Sequence, residues 1–137
     1  MLELANLNYW AVAVVWLVYL VIGAFWYSPA GFAKRWTKLA GNDILKIPTD
    51  KANKIIAFVA VSGLVQAFTL GVVLNSLDVT SVVNGLTVGL VLWFGLTAAT
   101  TVGVTLYSLK SWKFLWLNSS YFLVVMSIAS VIFTLWQ

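Results

Sequence analysis

The chain has 137 residues, 62% of them apolar and only 9% charged, where a soluble domain carries about a quarter charged. Eight basic residues stand against four acidic ones, and the chain has neither cysteine nor histidine. So few charges cannot cover a wet surface, which points to a bilayer as the solvent. The missing side chains exclude disulfides, thiolate or imidazole metal sites and histidine-based acid–base catalysis.

A helix needs roughly 20 apolar residues to cross a hydrocarbon core, and residues 9–27, 55–74, 85–107 and 114–136 meet that need. The first run lacks the basic n-region and the A-x-A exit of a cleavable signal, so it is read as a retained span. It ends in Phe25-Trp26-Tyr27, and Ser28-Pro29 then offers an N-cap and first-turn pair for a new helix over 29–40. On that helix Phe32, Trp36 and Leu39 project to one side, Lys34, Arg35 and Lys38 to the other. The pattern predicts a short amphipathic helix in the membrane interface. Its basic face either meets anionic lipid headgroups or serves only as a topology anchor. Gly41-Asn42 supplies the stop, and Pro48-Thr49-Asp50 caps the entry into the second span.

The middle spans carry small residues at helical spacing: Gly63-x3-Ala67-x3-Gly71 in the second, and Gly85-x3-Gly89 then Gly95-x3-Ala99-x3-Gly103 in the third. Small residues let helix backbones approach closely in lipid. The short connection at 75–84 predicts that these stripes face each other in a packed hairpin; the other possibility is contact with a second copy. Opposite the glycines of the third span runs a hydroxyl stripe of Thr97, Thr101, Thr105 and Ser108, open to back-bonding onto the preceding turn.

Helical rise places Tyr19, Gln66 and Thr97 near the midplane, and Asn118, Ser119 and Ser120 in the inner half of the fourth span. An unpaired amide in hydrocarbon is costly, so Gln66 and Asn118 are expected to face the bundle interior. There they either bond other helices or line an inward-opening pocket, with Trp26, Tyr27 and Ser28 at its rim. Trp16 and Trp93 lie deep and are read as space-fillers between helices.

All the basic residues fall within 28–54 and 108–113; the remaining connection and both ends have none, while Glu3 and Asp78 lie on that side. The positive-inside rule then puts both basic connections in the cytoplasm and both termini outside a cytoplasmic (inner) membrane. Aromatic residues suit the two interfaces, with Tyr9, Trp10 and Trp136 at the outer one and Trp26, Tyr27, Tyr107, Trp112 and Trp116 at the inner one.

The run Gly23-Ala24-Phe25-Trp26-Tyr27-Ser28-Pro29, with Phe32-Ala33-Lys34 and Trp36, resembles the first-helix motif of a family of small bacterial membrane proteins, "domain of unknown function 1761". The Gly-rich third span and the stretch from Phe114-Leu115-Trp116-Leu117-Asn118 to Tyr121 are similar to it as well. Asn118-Ser119-Ser120-Tyr121 stands where the family pattern has Asn-x-Gly-Tyr. The resemblance implies a four-span fold and no particular activity.

The expected architecture is therefore all-α: one integral membrane domain over 1–137, a four-helix bundle with an interfacial helix between the first two spans. The expected function is non-enzymatic binding of a lipid, a small hydrophobic ligand or a partner subunit within the bilayer. The alternative is a small passive channel or transporter whose polar path, through Tyr19, Gln66, Thr97, Thr101 and Asn118, opens to the cytoplasm. Proton-coupled export wants a carboxylate inside the membrane, and every acidic residue lies outside the apolar runs. An enzyme is not expected, because no tuned acid–base pair can be assembled. Membrane lipids and a second copy or partner membrane subunit are the expected partners; no cofactor and no nucleic acid is.

Overall fold

The computed structural model describes residues 2 and 4–136. Glu3, one of the two acidic residues assigned above to the outer side, lies outside them. Five helices follow in order: α1 (Tyr9–Trp26), α2 (Ala33–Ala40), α3 (Thr49–Ser76), α4 (Val82–Tyr107) and α5 (Trp112–Leu135). A 3-10 turn, Ile44–Lys46, lies between α2 and α3. Helices α1, α3, α4 and α5 are each long and apolar enough to cross a membrane. The described residues contain no strand, so the all-α class expected from the sequence stands.

The four long helices alternate in direction, which gathers the basic connections at one end. There the Lys110 ammonium donates to the carbonyl of Ala40, tying the 108–111 loop to the C-terminus of α2, where a cation suits the helix dipole. At the far end Asn8 Nδ2 donates to the Trp136 carbonyl at 3.1 Å, while Asn8 Oδ1 caps α1 by accepting from the Ala11 amide at 3.1 Å. Ser111 caps α5 in the same way through the Phe114 amide at 3.3 Å.

Both short loops leave their helices through a left-handed residue that is not glycine. Asp78 (φ 48) follows α3 and Leu109 (φ 57) follows α4. In each case the next amide reaches back five positions, Val79 to the Leu74 carbonyl at 3.2 Å and Lys110 to the Thr105 carbonyl at 3.0 Å. These are Schellman caps, which satisfy carbonyls the helix end leaves bare. With no glycine at either turn, the sequence carried no signal for them.

Helix α5 is the hub. It packs against α1, α3 and α4, and α1 packs against α3. The core is built where these meet, from Val15 and Tyr19 of α1, Ala67, Leu70 and Leu74 of α3, and Val125, Ala129 and Phe133 of α5. The expected hairpin between the second and third spans does not form: α3 and α4 touch weakly, and α4 leans on α5 instead.

The glycines explain why. A Cβ on Gly63 would meet Tyr19 and Trp16 of α1 at 3.6 and 3.7 Å, and one on Gly71 would meet Phe133 of α5 at 2.8 Å. Ala67 between them is fully buried. The α3 stripe therefore seats α1 and α5. On α4, a Cβ on Gly85 would lie 2.2 Å from Thr134 Oγ1, and one on Gly89 would lie 2.2 Å from Ser130 Oγ, both on α5. Gly95, Ala99 and Gly103 are exposed, and a Cβ on Gly95 or Gly103 would meet nothing within 4 Å.

The two halves of the α4 glycine pattern part company at a π-helical segment, Trp93–Ala98. An i→i+5 segment accommodates one extra residue, which shifts the phase of all that follows by about 100°. That shift turns Thr97, Thr101 and Thr105 toward α5, where Thr105 is buried, and turns the lower glycines outward. A constant 3.6-residue period, assumed along the whole span, put those two faces the wrong way round.

Candidate functional site

The basic end of the bundle holds the densest polar and aromatic chemistry, and it is organised around Asn118. Its carboxamide oxygen accepts two hydrogen bonds, from the Tyr27 hydroxyl at 3.1 Å and from Trp36 Nε1 at 3.0 Å. Its amide nitrogen donates to the Phe114 carbonyl one turn back at 3.0 Å. Both lone pairs of the oxygen are thus used, one by the end of α1 and one by α2.

Rings close around this amide. Tyr27 stands edge-on to Trp36 at 6.4 Å and to Tyr121 at 5.8 Å, Trp36 packs on Phe114 at 5.7 Å, and Trp26 packs on Phe32 at 4.5 Å. Trp26 Nε1 donates to the Leu117 carbonyl at 3.3 Å, and the Tyr121 hydroxyl donates to the Tyr19 carbonyl at 2.8 Å. Trp26 and Tyr27 therefore belong to the packed interior of this end. Both are half-buried, and their indole and phenol donors find protein acceptors on α5. Tyr9, Trp10, Tyr107, Trp112, Trp116 and Trp136 are exposed, as belt residues should be.

Ser28 also departs from its expected role. It does not cap a helix starting at 29; its hydroxyl donates back to the Phe25 carbonyl at 2.7 Å and accepts from the Gly31 amide at 3.3 Å. The Phe32 amide reaches the Trp26 carbonyl at 2.8 Å. Residues 27–32 thus fold into a tight reversal, and α2 begins only at Ala33. The helix stops where expected, on Gly41 in the left-handed region (φ 76). Its amphipathic pattern is real: Phe32, Trp36 and Leu39 are half-buried, while Lys34, Arg35 and Lys38 are exposed.

The midplane candidates do not converge. Tyr19 is buried in the α1–α3–α5 core. Gln66, expected to face the bundle interior, sits at the edge of the buried face of α3 and donates to Ser62 of its own helix at 3.3 Å. Thr97 Oγ1 lies 3.8 Å from Met126 Sδ, and Thr101 back-bonds to the Ala98 carbonyl at 2.9 Å. Ser120 likewise bonds Trp116 of its own helix at 2.6 Å. Hydroxyls one turn from a free lone pair satisfy themselves locally, which spares them any neighbour. The two deep tryptophans do cross between helices, Trp16 Nε1 to the Ala60 carbonyl and Trp93 Nε1 to the Ser119 carbonyl, both at 2.8 Å. Each fills space and also links two spans.

Beside the Asn118 cluster lies a groove of about 530 Å³, between α2, the 42–48 connection and the first turns of α3. Trp36 is shared by both, presenting its Nε1 to Asn118 and lining the groove as well. Asn42, Asp43, Lys46 and Lys51 give the groove its polar lining, and Ile44, Ile47, Pro48 and Ile55 its apolar one. Asp43 is already occupied: Oδ1 accepts from the Leu45 amide at 3.0 Å and Oδ2 lies 3.6 Å from Lys46 Nζ. Lys46 remains 83% exposed. In the sequence this stretch reads as a connector between a helix stop at Asn42 and a cap at Pro48. The one available signal was Ile44 and Ile47 interleaved with Asp43 and Lys46, more apolar than a free loop requires.

No curated protein and no solved structure matches this chain. A family model does, over residues 10–134, described as "Protein of unknown function (DUF1761)". The match takes in all four spans, the reversal at Ser28-Pro29 and the Asn118 cluster, and the chain belongs to that family.

Proposed function

We propose that the protein is a non-enzymatic membrane protein that holds an amphiphilic molecule in the groove at its basic end. The observation that carries this is the composition of that groove: charged and amide groups interleaved with isoleucines, with Ile55 continuing into the exposed apolar surface of α3 at Ile56, Phe58 and Val59. Such a lining suits a ligand with a polar head and an apolar tail. The Asn118 cluster supports the groove by fixing Trp36, so its chemistry is positional. A passive polar path draws no comparable support, since Tyr19, Gln66 and Thr97 face different neighbours.

Filling the groove tests the idea. Ile55→Trp, purified from membranes in mild detergent, is expected to lose tightly held lipid that the unaltered protein retains by native mass spectrometry. Equal retention by both would count against the groove as the site.

The same reading places the protein in a cytoplasmic (inner) membrane with the basic end in the cytoplasm and both termini outside, on the positive-inside argument. Single cysteines at Lys51 and Thr80 should then be labelled by a membrane-impermeant reagent from opposite sides. Labelling of both from one side would refute the orientation. Gly95, Ala99 and Gly103, left without a neighbour on α4, are the surface through which a second copy or a partner subunit would pack closely.

A further inference from the structure

We infer that the occupant of this groove is an anionic phospholipid, its phosphate held between Lys46 and Lys51 and one acyl chain laid along α3 from Ile55. The inference rests on the amphiphile proposal and specifies its headgroup. Charge sets the choice. Of the groove's three charged side chains two are cationic, and the one carboxylate, Asp43, is committed to the Leu45 amide and the edge of Lys46. Lys51 has no ion pair among the described residues, and Asp50 beside it does not line the groove.

The backbone adds to this field. The first amide of α3 to enter the helical ladder is Ala52, bonded to the Pro48 carbonyl at 2.8 Å. The amides before it lie at the positive end of a long helix dipole, which favours an anion at that point. Asn42 supplies a further neutral polar group to the lining.

Depth fixes the rest of the ligand. Lys51 and Ile55 are one turn apart on α3, with Val59 one turn further. A phosphate at Lys51 therefore stands where α3 enters its apolar stretch, and a chain attached to it passes Ile55 and Val59, exposed by 43% and 57%. A soluble phosphate compound would make no use of that apolar strip, whereas a phospholipid engages both it and the cations. The exposed cations of α2, Lys34, Arg35 and Lys38, lie outside the groove lining and would attract the same headgroups only diffusely.

The test uses the full chain in mixed micelles of phosphatidylglycerol and phosphatidylcholine, with bound lipid counted by native mass spectrometry. The unaltered protein is expected to retain one phosphatidylglycerol in preference to phosphatidylcholine. Lys51→Gln should weaken that preference about fivefold, and Lys46→Gln with Lys51→Gln should abolish it. Lys34→Gln with Arg35→Gln should leave it unchanged.

Retention of one lipid without headgroup preference would overturn the anionic assignment and leave the amphiphile proposal standing. No retained lipid at all would overturn both. Equal loss of preference in the α2 variant and the groove variant would reduce the effect to general surface attraction and overturn the site. Loss of the preference to inorganic phosphate alone, with no lipid displaced by a neutral phospholipid, would assign the site to a free anion instead. Lys51 is an exposed side chain with no ion pair among the described residues, so Lys51→Gln keeps the fold that the comparison requires.

Discussion

Asn118→Leu is expected to lower stability by about 2–3 kcal/mol, the largest loss from any single side-chain polar group in the chain. The magnitude follows from the number of partners stranded. Leucine has nearly the same volume but accepts nothing, so the Tyr27 hydroxyl and Trp36 Nε1 both lose their acceptor in a half-buried, ring-lined site. Interhelical hydrogen bonds in membranes are each worth about 0.6–2 kcal/mol, and two are removed at once. Tyr27→Phe, which removes one donor and strands one lone pair, should cost about 1 kcal/mol. Unfolding in mixed micelles of rising sodium dodecyl sulfate fraction measures both. If the amide is the common acceptor, adding Tyr27→Phe to Asn118→Leu should cost little more than Asn118→Leu alone. Strict additivity of the two substitutions, or an unaltered midpoint for Asn118→Leu, would show that the hub is not where the geometry puts it.

This dependence also accounts for how the sequence could be read and where it could not. Long apolar runs, a one-sided distribution of lysines and the amphipathic stretch around Trp36 are local patterns, and local patterns survive folding. The four apolar helices, the short amphipathic helix and the inward-facing Asn118 follow from them. Neighbour choice does not. The glycines of α3 and α4 mark close approaches, but glycine names no partner, and the hub turned out to be α5, whose own small residues Ser130 and Thr134 receive Gly89 and Gly85. The π segment in α4 broke the period on which face assignment rests.

Gln66 shows the energetic side of the same limit. The cost of a bare amide in hydrocarbon is real, yet Ser62 one turn away takes one of its N–H donors without any second helix. The WYSP motif is a third case. Its aromatics are placed where a lipid-facing belt would be, and only the tertiary fold reveals that Tyr27 and Trp26 turn inward to α5. The groove is lined entirely from residues 36–55, but it exists only because the 42–48 connection folds between α2 and α3, a placement that residue types alone do not announce.

Gly31→Ala should be the most damaging single methyl in the chain. A Cβ there would lie 2.1 Å from the Phe25 carbonyl oxygen and 3.0 Å from that of Trp26. Both obstacles are backbone, held by the bonds from Ser28 to Phe25 and from the Phe32 amide to Trp26, so no rotamer change can make room. The cost is expected at about 3 kcal/mol, the upper end for overpacking.

Gly103→Ala supplies the contrast. A Cβ there meets nothing within 4 Å, and exchanging glycine for alanine inside a helix gains about 0.5–1 kcal/mol. The two variants should therefore move the unfolding midpoint in opposite directions, although each adds the same group to a glycine of an apolar chain. The consequence extends to binding. Gly31 closes the reversal that carries α2 back onto α5, and α2 brings Trp36 to both Asn118 and the groove. Gly31→Ala should thus reduce retained lipid together with stability, whereas Gly103→Ala, outside the groove lining, should leave retained lipid untouched. Loss of lipid in Gly103→Ala with full retention in Gly31→Ala would detach the binding site from the Ser28-Pro29 reversal and move it to the outer face of α4.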